Sequence, residues 1–241
     1  MDIGSRTTKI VLLADGTMSD FQIMDTGHDP IASCKKYLDK HKATRIVATG
    51  YGRHLAKTHF ADTVITEIKA HAIGALNLFP SCRTIVDVGG QDSKVISVNE
   101  DGHFEDFEMN DRCAAGTGRF LEVMATILGF SIENFGDQAL QAKRLVNISS
   151  TCTVFSESEV ISLITSGEDR RNIALGVHQA IVTRLAAMIG RVGLREDVVF
   201  AGGVAKNPCI SSLLQKKIGV KLFIPKEPQI VGALGAALAA K

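Results

Sequence analysis

Two short segments of the chain carry the same chemically useful residues, 85 positions apart. Asp2-Ile3-Gly4-Ser5-Arg6-Thr7-Thr8-Lys9 and Asp87-Val88-Gly89-Gly90-Gln91-Asp92-Ser93-Lys94 share Asp, Gly and Lys at matching places and agree in character at most positions between. Both run on into a turn signal, Asp15-Gly16 and Asp101-Gly102, so each reads as strand, Gly-containing turn, strand, turn. Shared local structure makes duplication a better explanation than chance. Small residues after the aspartate let backbone N–H groups approach phosphate oxygens closely. The hydroxyls of Ser5, Thr7 and Thr8 add donors, and Asp2 or Asp87 at a strand end suits Mg²⁺ held through its water shell. Two such loops facing each other would clamp a polyphosphate. A lone Asp-x-Gly is an ordinary turn; the paired copy is what gives the pattern weight.

A third segment, Val198-Val199-Phe200-Ala201-Gly202-Gly203-Val204-Ala205-Lys206-Asn207-Pro208, reads as a buried strand, a Gly-Gly turn and a helix start. Asn207 suits the cap of that helix and Pro208 its first position. The glycine pair lets the backbone lie against a flat group such as adenine or ribose.

The elements that must position these loops alternate. Strands are expected near 9–13, 20–25, 45–49, 84–88, 93–98, 104–108, 197–201 and 221–224. Helices are expected near 30–41, 67–77, 116–129, 156–166, 171–191, 208–217 and 229–240. Alternation points to a layered α/β fold, with one lobe over 1–80 and a second over 81–241, the last helix packing back toward the first. Only Met1 precedes Asp2, which leaves little strand to carry the first loop; a truncated strand or a late start codon is expected. The 241 residues suit one large domain or two joined lobes. Twenty-seven basic and 26 acidic residues leave a net charge of +1, so no basic excess argues for nucleic acid. The longest apolar run, Ile230 to Ala240, is too short to span a bilayer, and no secretory signal is evident. Five scattered cysteines do not read as a disulfide framework, so a reduced, cytoplasmic compartment is expected.

Two cysteines sit in unusual company: Met109-Asn110-Asp111-Arg112-Cys113-Ala114-Ala115-Gly116-Thr117-Gly118-Arg119-Phe120 and Ser149-Ser150-Thr151-Cys152-Thr153-Val154-Phe155-Ser156-Glu157-Ser158-Glu159. Each precedes an expected helix, and Ser156 with Glu159 has the form of a capping box. Helix N-termini favour negative charge and so thiolates. Two thiolates do not complete a four-ligand site; two copies about a twofold axis would. Buried structural cysteines and a redox-active pair within one chain are the other readings. Cys34, Cys82 and Cys209 read as small buried hydrophobes.

The two phosphate segments, both cysteine segments and Ala201-Gly202-Gly203-Val204-Ala205 together resemble the activator ATPases of 2-hydroxyacyl-CoA dehydratases and the related benzoyl-CoA reductase ATPase subunits. The likeness runs from Asp2 to the final Gly-Ala-Leu-Gly-Ala-Ala helix. It implies a two-lobed actin-like (ribonuclease H-like) ATPase fold with Mg²⁺ and ATP or ADP in each subunit. Nucleotide contacts map onto Ser5, Arg6, Thr7, Thr8, Lys9, Gln91, Asp92, Gly202, Gly203 and Gln229, beside Asp2, Gly4, Gly89 and Gly90 of the loops. It further implies a homodimer holding one 4Fe–4S cluster through Cys113 and Cys152 of each subunit, an electron from ferredoxin or flavodoxin, and transfer to an iron–sulfur dehydratase or reductase. Asp87 is the candidate for organising Mg²⁺, and Gln91 or Asp92 for orienting the attacking water. A small-molecule kinase of the same fold and a nucleotide-responsive redox sensor are the rival readings.

Overall fold

The computed structural model describes residues 1–148 and 153–240. The strands are β1 (Asp2–Ile3), β2 (Thr7–Ala14), β3 (Thr17–Asp25), β4 (Val47–Ala48), β5 (Thr63–Val64), β6 (Thr84–Val88), β7 (Ser93–Val98), β8 (Phe104–Asn110), β9 (Val198–Ala201) and β10 (Leu222–Phe223). The α-helices are α1 (Pro30–Leu38), α2 (Arg53–His59), α3 (Glu67–Leu78), α4 (Gly118–Leu128), α5 (Phe135–Leu140), α6 (Thr153–Thr165), α7 (Arg170–Val192), α8 (Pro208–Ile218) and α9 (Val231–Leu238). The elements form two sheets of like design. The second runs β10-β9-β6-β7-β8. In the first, β1-β2-β3 is joined by a parallel bridge from Asp2 to Thr49, beside β4, which pairs with β5.

The sequence repeat is a repeat of structure in detail. Asp2 faces Lys9 and Ile3 faces Thr8; Asp87 faces Lys94 and Val88 faces Ser93. The Gly4 N–H donates to the Thr7 carbonyl and the Gly89 N–H to that of Asp92. Even the bulges correspond, between Leu12 and Leu13 in one hairpin and between Ser97 and Val98 in the other. A bulge inserted at the same place twice bends both ribbons alike.

The β6–β9 sheet is buried on both faces, and its side chains alternate accordingly. Val86, Val88, Val198 and Phe200 face a core with α4, α7 and α8; Ile85, Val199 and Ala201 face α3. By length and composition α7 could cross a membrane, yet its apolar residues, from Ile173 to Ile189, lie at the centre of the larger core. The two lobes exchange helices. α3 follows the first sheet and covers the second, while α9 follows the second and packs Ala233 and Leu234 on Val11 of β2. Where they cross, a Cβ on Gly74 would strike the Val231 carbonyl and one on Gly235 the Ala70 carbonyl. The two backbones touch because both positions lack a side chain.

Helix starts follow their caps. Asp29 accepts from Ala32 N–H before Pro30 at the start of α1, Thr66 accepts from Lys69 N–H, and Asn207 accepts from Cys209 and Ile210 N–H with Pro208 following. One expectation fails. Ser156 and Glu159 do not open α6, which begins at Thr153, and Ser156 is a buried residue inside it. No Gly or Pro separates Thr153 from Ser156, so nothing stops the helix from extending a turn upstream. The helices α2 and α5 were not expected; Gly52 and Asn134 precede them without a side-chain cap bond.

His178 on α7 is fully buried; its Nδ1–H donates to the Ala174 carbonyl at 2.7 Å, and its Nε2 accepts from Asn207 Nδ2 at 3.0 Å. Burial pushes the imidazole down to about 4. Between that value and the ordinary 6.5 the unfolded chain binds the proton and the folded chain does not. Stability should therefore fall as pH drops from 6.5 toward 4, by up to about 3 kcal/mol from this one group. Urea unfolding at steps across that window should show a shallower loss for His178→Gln than for the parent chain.

Candidate functional site

A cleft of about 520 Å³ lies between the lobes, and both aspartate hairpins open into it. Of the residues anticipated for nucleotide, Asp2, Gly4, Ser5, Arg6, Thr7 and Lys9 line it from the first loop. Asp87, Gly89, Gly90 and Asp92 line it from the second, and Gly202, Gly203 and Gln229 from the third segment. Two fall outside the lining. Thr8 is buried on the far face of its strand, with its hydroxyl 3.1 Å from that of Thr26. Gln91 sits exposed on the outer side of the second turn. Alternation along β2 sends Thr7 and Lys9 one way and Thr8 the other.

The geometry of the third segment follows from one glycine. Gly202 has φ of 84°, and a Cβ there would run into the Val88 carbonyl and stand 2.8 Å from Asp87 Oδ1. A side chain would thus both strain the turn and push on the aspartate. The Gly202 N–H donates to the Pro228 carbonyl at 2.9 Å, which brings Gln229 beside Gly203. Leu121, Ile132, Val204 and Pro208 give this end of the cleft an apolar wall, suited to the face of a base.

The opposite end is charged. The Lys94 ammonium, 1% exposed, lies 2.7 Å from Glu67, 2.8 Å from Asp92 and 3.5 Å from Asp87. Lys9 lies 3.4 Å from Asp2. His71 Nε2, also buried, is 3.6 Å from Asp87. Burial works against the Lys94 charge, but Asp87, Glu67 and Asp92 more than offset it and raise its basicity. Burial alone would push Asp87 up; His71, Lys94 and Lys9 bring it below the usual carboxylate value. Burial pushes Glu67 up, against the pull of Lys94. Four carboxylates thus meet two ammonium groups and leave this end with surplus negative charge; among the described residues no three of them converge to ligate an ion directly, so a hard divalent cation would be held here through its water shell.

Glu67, His71 and Lys94 were not among the anticipated residues. Glu67 and His71 are four apart and so share one face of α3. Lys94 is the repeat equivalent of Lys9, a signal already in the pattern.

The cysteine segment meets the cleft through its helix. Gly118 and Arg119, the first residues of α4, donate backbone N–H bonds to the carbonyls of Gly89 and Gly90 at 2.9 and 2.8 Å. Cys113, five residues earlier, is half-buried in a loop where Asn110 Nδ2 donates to its carbonyl at 2.9 Å. Cys152 lies outside the described residues.

Duplicated hairpins, exchanged helices and an acidic cleft define a two-lobed ATPase of the actin-like class. Residues 1–240 match the BadF/BadG/BcrA/BcrD ATPase family. The chain belongs to that family. It is 41% identical to the (R)-2-hydroxyglutaryl-CoA dehydratase activating ATPase of Acidaminococcus fermentans, over 99% of this chain and 94% of that one. It is 43% identical to the activator of lactoyl-CoA dehydratase of Anaerotignum propionicum, over 99% and 95%. The structure of the Clostridium difficile 2-hydroxyisocaproyl-CoA dehydratase activator with bound ADPNP superposes with a TM-score of 0.91 at 39% identity, covering 99% of this chain and 92% of that one.

Removing the Lys94 cation should leave Asp87, Asp92 and the partly buried Glu67 without their shared ammonium partner. Lys94→Met should lose about 3–5 kcal/mol of stability in EDTA. Millimolar Mg²⁺ should restore part of it, because the metal replaces the missing charge. Thermal melts with and without Mg²⁺ check this; an equal Mg²⁺ response in parent and variant would contradict the role assigned to Lys94.

Proposed function

We propose that this ATPase drives a low-potential electron to a 2-hydroxyacyl-CoA dehydratase or a related benzoyl-CoA reductase-like iron–sulfur enzyme. Family membership and the activator relatives support the partner class. The observation that carries the coupling is the pair of bonds that the Gly118 and Arg119 N–H groups, in the first turn of α4, donate to the Gly89 and Gly90 carbonyls. Any shift of the second phosphate loop is transmitted to the helix that follows Cys113.

The residues present suit a 4Fe–4S cluster shared between two copies. Among the described residues no three His, Cys, Asp or Glu side chains converge as a metal site, so Cys113 needs thiolates from elsewhere. α6 (Thr153–Thr165) exposes Val154 and Phe155 at 67% and 68%, an apolar face that a second copy would cover. Cys113 and Cys152 of each subunit in a homodimer would hold the cluster, which supplies one-electron chemistry at low potential. A ferredoxin or flavodoxin is the proposed donor, and the cytoplasm the proposed compartment.

In the cleft, the backbone N–H groups of the two loops would hold the phosphates, with Lys9, tied to Asp2, fixing the first loop. Asp2 and Asp87, with the surplus negative charge, would hold Mg²⁺, which would supply charge neutralisation at the phosphates. Asp92 fixes Lys94 and so the second loop. Glu67 lines the cleft and is made more basic by burial, so it would be the group to take the proton from an attacking water. Gly202, Gly203 and Gln229 seat the base and ribose.

Protein purified without oxygen should be brown, contain about four irons per dimer by the cluster stoichiometry, and hydrolyse ATP. Cys113→Ala should lose the iron while retaining ATP binding. A colourless, iron-free parent protein would sink the electron-transfer proposal and leave the ATPase standing.

A further inference from the structure

We propose that Arg6 is the residue by which the cleft distinguishes a triphosphate from a diphosphate, with Glu122 holding it until the third phosphate takes it. The proposal rests on reading the cleft as the ATP site.

Arg6 belongs to the first lobe, in the turn between β1 and β2, yet it reaches the second. Its stem lies against Gly90, where a Cβ would stand 2.6 Å from Arg6 Cγ, and its Nη2 is 3.1 Å from Glu122 Oε2 on α4. Both residues line the cleft. The side chain therefore crosses from one phosphate loop over the other.

The other cations lining the cleft are held differently. Lys9 and Lys94 are committed to carboxylates at 15% and 2% exposure. Lys206 forms a comparably exposed pair with Glu227 at 2.8 Å, 47% and 23%, but it follows the Gly-Gly turn, at the apolar end of the cleft away from the two aspartate loops. The Arg6–Glu122 pair is 50% and 31% exposed, and exposed pairs are weak. A guanidinium prefers the bidentate oxygens of a phosphate. Release costs little at the other end too, since Glu122 keeps Arg119 at 3.0 Å. The repeat sharpens the point: the position equivalent to Arg6 is Gln91, exposed and outside the lining. In an otherwise acidic cleft, the added charge of a third phosphate has Arg6 as its readiest partner.

Titration calorimetry of the full chain with Mg²⁺ and either ADPNP or ADP tests this. Arg6→Gln should weaken ADPNP by about tenfold or more while ADP changes by less than about twofold. Glu122→Gln should tighten ADPNP by about two- to fivefold, the gain expected from freeing an exposed pair. That gain should vanish in the double variant. Glu122→Asp, with its shorter reach, should behave as Glu122→Gln does, and retained ADP binding verifies the fold of each. Equal losses of ADP and ADPNP in Arg6→Gln overturn the proposal, as does a Glu122→Gln gain that persists without Arg6. Failure of the parent chain to bind either nucleotide overturns the reading of the cleft, and the role of Arg6 with it.

Discussion

The cleft depends on an ammonium group that water barely reaches. Lys94 ties together β7, on which it sits, the Asp87 end of β6, the turn at Asp92 and the first residue of α3. Taking such a charge out of water costs several kcal/mol, and only close opposite charge repays it. Three carboxylates within 3.5 Å do so. The arrangement fixes where a helix connecting the lobes begins relative to the phosphate loop. It also leaves the carboxylates in surplus, so the ion that completes them would arrive with the nucleotide.

Duplication explains why two loops converge at all. Each hairpin has the same register, the same turn bond and the same bulge, and each Asp–Lys pair stands at nearly the same separation, 3.4 and 3.5 Å. The helices then exchange, and at Gly74 and Gly235 their backbones touch, while Val231 of α9 packs in one cluster with Ile68, Ala72 and Ala75 of α3. The two lobes are thus joined through a close-packed crossing and face each other where charge is greatest.

Much of this was legible in residue types. The aspartate loops, the Gly-Gly turn and the Asn207 cap are local devices, and local devices leave local signatures. The short helices α2 and α5 were not legible, because Gly52 and Asn134 make no side-chain cap bond and six or seven residues carry too little periodicity. Glu67 and His71 were missed for another reason. Their partners Lys94 and Asp87 are far away in sequence, and only the exchange of helices brings α3 over the second sheet. Thr8 and Gln91 show the converse: membership of a loop motif does not fix a side chain's direction. Strand alternation turns Thr8 inward, and the turn leaves Gln91 outside.

The asymmetry between the two loops bears on how a cleft can influence a distant thiol. The first loop offers the cleft an arginine; the second offers its own backbone to α4. Hydrogen bonds from Gly118 and Arg119 to the Gly89 and Gly90 carbonyls are strong where the geometry is near linear and weaken steeply as it bends. Under the proposed coupling, a shift of the second loop would reach α4 through these two bonds. The buried side of α4, with Phe120, Leu121 and Met124 packed in the core, resists sliding. The segment before the helix is tied as well: Asn110 Nδ2 donates to the Cys113 and Ala115 carbonyls, the Thr117 hydroxyl to that of Ala114, and Arg184 to that of Ala115. A phosphate loop, a helix anchored along its apolar face and a hydrogen-bonded cysteine segment at its start form one continuous chain of contacts, which the proposed electron transfer would use.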